Sequence, residues 1–241
     1  MTDASGAVVA EKPKEYAQYR FRIPPTATDV LLVRHGESAP MPASPDLRTN
    51  SDGQADPELS PLGVEQARLT GERLAGAGLQ AIYVTSLRRT QQTAVQLATL
   101  TGLEPQIEPD LREIFLGEWE GGEFRRRAQV RDPRMVQLLA GADWDVVPGA
   151  EPSEKFAARV HGALTRIHEA HPGQRVAVIC HGGVIGQALA LATGSRTLAF
   201  MSCDNASISQ LILHGDHWIV RRYNDTHHLG PAFTAAAAPI E

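Results

Sequence analysis

Two histidines, each followed by glycine, stand at the ends of two apolar runs of this sequence. His35 follows Asp29–Val33 with Arg34 between them, and His181 follows Arg175–Cys180. A neutral imidazole is a nucleophile near pH 7, because an unperturbed histidine titrates at about 6.5. The glycines let the backbone approach a ligand and offer N–H groups to it. Such a pair can attack an electrophile with one ring and hydrogen-bond to it with the other.

Arginines near the histidines indicate what the electrophile is. Arg34 precedes His35, and Arg88 and Arg89 follow a third apolar run, Ala81–Thr85. A guanidinium binds phosphate oxygens through two donors at fixed geometry. Hydrogen bonds to a charged partner contribute about 1.5–3 kcal/mol each, so three or four such groups make a competent phosphate pocket. These residue types predict a site where a histidine attacks phosphorus.

The leaving oxygen of a phosphate ester needs a proton, and Glu113 can supply it. This residue lies in Leu111–Ile114, between predicted elements, just before the GEWEGG segment. Carboxyl groups that are partly desolvated beside a phosphate dianion hold their proton to higher pH, which suits a general acid. General acid catalysis contributes a factor of typically ~10²–10⁴ in rate. Glu113 is therefore the predicted proton donor.

The apolar runs predict the elements that position these residues. Strands are predicted at Asp29–Val33, Ala81–Thr85 and Arg175–Cys180, with a terminal hairpin at Ser207–Leu213 and His217–Tyr223. Helices are predicted from the N-cap Ser60 to Gly76, at Leu87–Leu100, near Phe124–Leu139, at Ser153–Ala170 and at Val184–Ala192. Strands that alternate with helices indicate a three-layer α/β/α fold with a mostly parallel central sheet. Ligands of such folds bind beyond the carboxyl ends of the strands, where all three strands place cationic or hydroxyl groups.

Length and composition fit one globular domain. The sequence divides into an N-terminal arm (1–28), a domain (29–229) and a flexible tail (230–241), with a long proline-containing loop at 38–58. The net charge of −5 predicts no nucleic-acid or membrane partner, and no apolar run is long enough to span a bilayer. The start of the chain lacks a secretory signal, so we expect a cytoplasmic protein. Cys180 and Cys203 are expected to be free thiols, although one bridge between them is possible.

Six motifs occur in an order that resembles one family. They are RHGES, DPELSPLGVEQA, SLRRTQQTA, LREIFLGEWEG, CHGGVI and NASI, between about Asp29 and His228. This order is similar to that of the histidine phosphatase (phosphoglycerate mutase-like) superfamily, and specifically its phosphatase branch. The resemblance implies that His35 accepts the phosphoryl group as a phosphohistidine. It also implies that Arg34, Arg89 and His181 bind the phosphoryl oxygens and that Glu113 donates the proton.

Two details of the resemblance concern single residues. The family's arginine stands four residues before the threonine of a Thr-Ala pair, which is Thr93 here, and this selects Arg89 over Arg88. The family often has a polar phosphate-binding residue soon after the RHG glutamate, whereas this chain has Ala-Pro-Met-Pro at 39–42. Ser38 and Ser44 are candidates to replace that contact. The backbone of Gly182 is a further candidate for binding the substrate phosphate.

Three functions stay open at this point. The first is hydrolysis of a small phosphorylated substrate without a metal or an organic cofactor. The second is phosphoglycerate mutase-type transfer, but mutases of the family carry a long insertion, and here Glu113 and His181 are only 68 positions apart. The third is a catalytically weak anion-binding or regulatory member of the same fold. A homodimer through the edge of the C-terminal hairpin is also possible.

Other polar clusters carry weaker predictions. Arg125–Arg127 could bind a second anionic group of a substrate or form a solvated helix face, which is the usual role of such runs. Trp119 could line the pocket or pack beneath the segment that covers it. His214 and His217 resemble a metal pair, but their place at a predicted hairpin turn favours exposure to solvent.

Overall fold

The computed structural model describes residues 15–41, 50, 53–140, 143–200 and 202–230. Within them, one sheet carries helices on both faces, which confirms the predicted α/β/α class. Its strands are β1 (Thr28–Arg34), β2 (Ala81–Val84), β3 (Pro105–Ile107), β4 (Arg175–Cys180), β5 (Ile208–His214) and β6 (His217–Asp225). Its α-helices are α1 (Pro61–Ala75), α2 (Arg88–Thr101), α3 (Glu123–Gln129), α4 (Pro133–Leu139), α5 (Ser153–Ala170) and α6 (Gly182–Thr193). In these described ranges, no helix has the length and apolar character needed to cross a membrane.

The strand order brings the two histidines together. The order is β3-β2-β4-β1-β5-β6, in which β1, β4, β2 and β3 run parallel, while β5 is antiparallel to both β1 and β6. Arg34 and Cys180 stand opposite each other at the ends of β1 and β4. The next residues, His35 and His181, therefore leave the middle of the sheet at the same edge. The register of one strand pair thus fixes the relative position of both imidazoles.

Alternate residues of the central strands form two hydrophobic layers. Val30 and Leu32 of β1 pack with side chains of α5 and α6. Leu31 and Val33 pack on the opposite face, with side chains of α1 and α2. A strand buried on both faces is typical of parallel sheets. Because β1 is buried on both faces, its carboxyl end is held in place. It therefore gives rigid support to His35, the residue that follows it.

The predicted helix Phe124–Leu139 is wrong, because the chain forms two short helices there. Pro133 lacks an N–H group and cannot continue a helix. It opens α4 instead, and the Asp132 side chain caps this helix by accepting from the backbone N–H of Arg134 at 2.9 Å. Arg131, at the junction, has a φ of 52°.

Other differences from the predicted elements are small. The three-residue strand β3 was not predicted, β1 extends to Thr28 and Arg34, and α6 begins at Gly182 rather than Val184. Thr28, placed in the N-terminal arm by the sequence, is thus the first residue of the sheet. Residues 1–14 of the arm and 231–241 of the tail lie outside the described residues, as does most of the 42–52 segment of the long loop.

The chain after His35 crosses the start of α1 at very short range. A Cβ on Gly63 would collide with the backbone carbonyl oxygen of Glu37, and one on Gly36 would collide with that of Gly63. We expect Gly63→Ala to lower the free energy of unfolding by about 1–3 kcal/mol, because the backbones must separate. Urea denaturation measures this change.

Gly76→Ala is the matched control for this substitution. Gly76 follows the last residue of α1 with a φ of −89°, and no atom of the described residues lies within 4 Å of a Cβ built there. Its free energy of unfolding should change by less than about 0.5 kcal/mol. Equal stability of the two variants would contradict the close crossing of the backbones.

Candidate active site

A small cleft opens beyond the carboxyl ends of the central strands. Its volume is about 140 Å³. Clefts for drug-sized ligands measure roughly 300–1,000 Å³, so this one suits a compact ligand. The polar residues that line it include Arg34, His35, Ser38, Gln54, Arg89, Glu113, Glu120 and Arg125. The structure thus brings most of the predicted site residues to one cavity.

The ring of His35 is fixed in one tautomer. Its Nδ1 lies 2.7 Å from the carbonyl oxygen of Gly36, which can only accept, so Nδ1 carries the proton. Nε2 is therefore the unprotonated nitrogen, and it accepts from Nε of Arg89 at 3.3 Å. The carbonyl oxygen of His35 in turn accepts from the side-chain amide of Asn205 at 3.0 Å. The result is an imidazole whose unprotonated nitrogen accepts from a guanidinium.

Burial keeps both histidines neutral. Burial, followed by the charges of Arg89 and Arg34, holds the pKa of His35 well below its usual range. Burial, followed by Arg89 and His35, does the same for the pKa of His181. In the unfolded chain both rings take up protons near pH 6.5, so the folded state loses stability as the pH falls below that value. At pH 7 both rings are neutral, so each keeps one unprotonated nitrogen, as a nucleophile requires.

His181 lies beneath His35 at the junction of β4 and α6. The two ring centroids are 5.2 Å apart, with 61° between the planes. Nε2 of His181 is 3.0 Å from the hydroxyl of Thr85, which follows β2. Nδ1 is buried and has no hydrogen-bond partner among the residues that the structure describes. The ring is thus oriented by a neighbouring strand and keeps one nitrogen for another group.

Arg89, and not Arg88, enters the cleft. The Arg89 residue is 8% exposed, and its Nη1 donates to the carbonyl oxygen of Ala55 at 3.0 Å. The side chain of Arg88 is 46% exposed and faces Asp56 instead. The hydroxyl of Thr93, one turn later in α2, donates to the Arg89 carbonyl and accepts from the N–H of Gly36. Thr93 therefore ties the Arg89 turn to the residue after His35.

Arg34 approaches the site from the end of β1. Its Nη1 donates to the carbonyl oxygen of Cys203. Its Nε is buried and has no hydrogen-bond partner in the described residues. The guanidinium is thus anchored at one nitrogen and keeps donor capacity for an anion.

The carboxylate of Glu113 rests on the start of α6. Oε2 accepts from the N–H of Gly183 at 3.1 Å, and Oε1 accepts from the N–H of Ile114 at 3.0 Å. A Cβ on Gly183 would collide with Oε1, so the approach depends on glycine. Carboxylates are favoured near helix N-termini, where N–H groups lack intrahelical partners.

Sequence reasoning missed the residues that support Glu113. The buried ion pair Arg159–Glu151 lies behind it, and Arg159 Nη2 donates to the Glu113 carbonyl at 3.1 Å. Nε2 of Gln54 donates to the same carbonyl at 2.9 Å. No local pattern marks Arg159, because the carbonyl oxygens that it binds lie 46 to 49 positions away along the chain.

Glu120 was also missed, although the GEWEGG segment was noted. Its two oxygens accept from the backbone N–H groups of Ala55 and Leu116 at 2.9 and 2.8 Å. Burial raises the pKa of this carboxyl. Glu120 therefore links the loop at Ala55 to the segment at Leu116. Because the Ala55 carbonyl accepts from Arg89, the same loop also contacts the guanidinium of the cleft.

The remaining candidates fall in different places. Ser38 lines the cleft, and its hydroxyl accepts from Nη2 of Arg125 at 2.8 Å. Gly182 is the first residue of α6, and Ser44 lies outside the described residues. Trp119 is fully buried against Phe124 and does not line the cleft, so packing is its role.

In the part of the chain that the structure describes, no three His, Cys, Asp or Glu side chains form a metal-binding group.

Comparisons with known proteins identify the family. The family model of the histidine phosphatase superfamily (branch 1) matches residues 30–226, and the chain belongs to this superfamily. A metal-independent phosphoserine phosphatase of Arabidopsis thaliana is 30% identical over 84% of this chain and 83% of its own. A probable phosphoglycerate mutase of Yersinia pestis is 29% identical over 83% of this chain and 94% of its own. The structure of a mycobacterial glucosyl-3-phosphoglycerate phosphatase with VO3 is similar, with a TM-score of 0.69, 27% identity and coverage of 82% of this chain and 99% of that one.

Proposed function

We propose that this protein hydrolyses small phosphate monoesters through a phosphohistidine on His35. The observation that carries the proposal is the state of the His35 ring. Its Nε2 is unprotonated and 3.3 Å from a guanidinium nitrogen of Arg89, above the buried ring of His181. A nucleophile next to an anion-binding group is what attack on a phosphoryl group requires.

In the first step, Nε2 of His35 attacks phosphorus and the bond to the ester oxygen breaks. Arg34, Arg89 and His181 hydrogen-bond to the three non-bridging oxygens, where negative charge is spread. The carboxyl group of Glu113 gives its proton to the leaving oxygen, so the product departs as an alcohol. The intermediate is a phosphohistidine beside an ionised Glu113.

In the second step, water replaces the alcohol. The Glu113 carboxylate accepts a proton from this water as its oxygen attacks phosphorus. The N–P bond breaks, inorganic phosphate leaves, and Nε2 of His35 regains its lone pair. The family membership and the activities after which two relatives are named, the phosphoserine and the glucosyl-3-phosphoglycerate phosphatase, support hydrolysis. Phosphoglycerate mutase-type transfer differs only in the acceptor, which is a hydroxyl group of the bound substrate.

Two assays test the proposal. With p-nitrophenyl phosphate, we expect hydrolysis in the presence of EDTA, because the phosphate contacts come from side chains. With 3-phosphoglycerate, we expect inorganic phosphate to accumulate and 2-phosphoglycerate to stay absent. Activity that EDTA removes and added metal restores would contradict the metal-independent mechanism. Formation of 2-phosphoglycerate without phosphate release would identify a mutase.

A further inference from the structure

The three consecutive arginines of α3 have different partners. Arg126 forms an ion pair with Glu123 at 2.7 Å. Arg127 forms ion pairs with both Glu123 and Asp132, at 2.7 and 2.8 Å. Arg125 makes no ion pair with a carboxylate of the described residues and lines the cleft. Of this basic run, Arg125 lines the cleft, Arg126 is exposed and paired within its own helix, and Arg127 is half-buried over the ring of Trp119.

The hydrogen bonds of Arg125 go to neutral acceptors. Nη2 donates to the hydroxyl of Ser38 at 2.8 Å, and Nη1 donates to the carbonyl oxygen of Ala39 at 3.3 Å. Both acceptors belong to the loop that follows His35. The guanidinium is therefore held at the wall of the cleft, on the same loop as the proposed nucleophile. It retains N–H donors that these two bonds do not use.

Among the described residues, Arg125 has no close counter-ion. Burial, followed by the positive charge of Arg34, lowers the pKa of Arg125, and Glu37 is the carboxylate that opposes this effect. Glu37 makes no ion pair with it and instead accepts from the hydroxyl of Ser60 at 2.7 Å. The Arg125 side chain is exposed at the rim of the cleft, and a cation that lies near another cation is stabilised when an anion binds beside it.

The two carboxylates of the cleft are engaged elsewhere. Glu113 accepts from the N–H groups of Gly183 and Ile114, and Glu120 accepts from two backbone N–H groups. Their charges act on Arg89. Arg125 is therefore a third guanidinium of the cleft, in addition to the two assigned to the phosphoryl group.

We propose that Arg125 binds a carboxylate of the substrate, so that the preferred substrates are small phosphate monoesters with a carboxylate a few bonds from the phosphoryl group. This inference rests on the proposed function and deepens it. The planar guanidinium matches a carboxylate with two parallel hydrogen bonds. The small volume of the cleft favours a compact second anion over a bulky one.

Alternatively, Arg125 has a structural role and only links α3 to the loop at Ser38. Loss of such a structural tie would lower kcat/KM equally for every substrate, because it acts through the shape of the cleft. A carboxylate contact affects only substrates that carry the carboxylate. Matched substrate pairs therefore separate the two roles.

The experiment compares kcat/KM for two such pairs. One pair is 3-phosphoglycerate and glycerol 3-phosphate, and the other is phosphoserine and phosphoethanolamine; in each pair the second member lacks the carboxylate. The variants are Arg125→Ala, Arg125→Lys and the control Arg126→Ala, which removes an arginine from the exposed side of the same helix. Release of inorganic phosphate is measured, and thermal unfolding reports on folding.

We expect the wild type to prefer the carboxylate-bearing member of at least one pair. Arg125→Ala should lower kcat/KM on that member by about 10- to 100-fold, the effect of one charged hydrogen-bonding partner, and on its match by less than about threefold. Arg125→Lys should keep part of the preference, since lysine keeps the positive charge but lacks the planar guanidinium that forms two parallel hydrogen bonds. Arg126→Ala should leave both values unchanged.

Four outcomes overturn the inference. Equal losses on both members after Arg125→Ala would assign Arg125 to the phosphoryl group or to the tie. No loss on either member, or a wild type without preference in both pairs, would make Arg125 a solvated residue, although hydrolysis itself would still support the proposed function. Failure of the wild type to hydrolyse any of the four esters or p-nitrophenyl phosphate would overturn the proposed function and this inference together.

Discussion

His35→Ala is expected to abolish phosphomonoester hydrolysis, with kcat/KM falling by roughly 10⁴-fold or more. The substitution removes Nε2, which is the atom that we propose forms the bond to phosphorus. No other described histidine takes its place, because His181 lies beneath the ring and its Nε2 is bonded to Thr85. Hydrolysis of p-nitrophenyl phosphate measures the loss, and thermal unfolding checks that the variant folds.

Phosphate binding separates loss of the nucleophile from loss of the site. Arg34 and Arg89 remain in His35→Ala, so the variant should still bind inorganic phosphate, which calorimetry can detect. The wild type quenched during turnover of a ³²P-labelled ester should carry label that is stable in base and lost in acid, as a phosphoramidate is. His214→Ala is the matched control, because His214 lies at the exposed end of β5. Turnover by His35→Ala within tenfold of the wild type would rule out His35 as the nucleophile.

The sequence predicted the position of the site because the fold imposes it. Parallel strands in a layered sheet share the edge at which their carboxyl ends meet. His35 and His181 each follow a strand recognisable from a short apolar run, so their proximity followed from the fold class. The preference for Arg89 over Arg88 came from the motif order, and the structure places Arg89 at 8% exposure in the cleft. These features depend on local patterns and on one topological rule.

What the sequence could not predict depends on contacts between distant segments. Arg159 supports the Glu113 backbone from α5, and nothing in the helix pattern distinguishes it from a surface arginine. The side on which Arg125 projects depends on how α3 packs over the site, and that packing depends on the break at Pro133. Strand β3, with three residues, is too short to carry a periodic signal.

The contacts that hold Glu113 in place also fix the direction in which its carboxyl group points. The proposed acid must point at the leaving oxygen in the first step and at the attacking water in the second, so its carboxyl group must not rotate away. Arg159 and Gln54 hold the Glu113 carbonyl, and the N–H of Gly183 holds the carboxylate. The proposed acid is thereby fixed at both its backbone and its side chain. Substitution of the carboxyl group alone should therefore remove the proton without moving the loop.

Glu113→Gln should lower turnover by an amount that depends on the leaving group. An alkyl alcohol is a poor leaving group without a proton, so kcat for 3-phosphoglycerate should fall by about 10²- to 10⁴-fold. p-Nitrophenolate leaves as a stable anion, so the loss on p-nitrophenyl phosphate should be under about tenfold. The amide oxygen can still accept from the N–H of Gly183, whereas the –NH2 group cannot accept from the N–H of Ile114, so one of the two contacts of the side chain is kept. Steady-state kinetics on the two esters give the comparison.

Two further variants show whether this dependence comes from the Glu113 proton. Glu118→Gln makes the same chemical change at an exposed residue of the GEWEGG segment and should leave both rates unchanged. Gly183→Ala keeps the carboxyl group but displaces it, because the new Cβ collides with Oε1. It should therefore produce the same dependence on the leaving group, with a smaller loss. If Glu113→Gln slowed both esters equally, the carboxyl group would act on a step that the esters share, such as binding the phosphoryl group, and another residue would have to protonate the leaving oxygen.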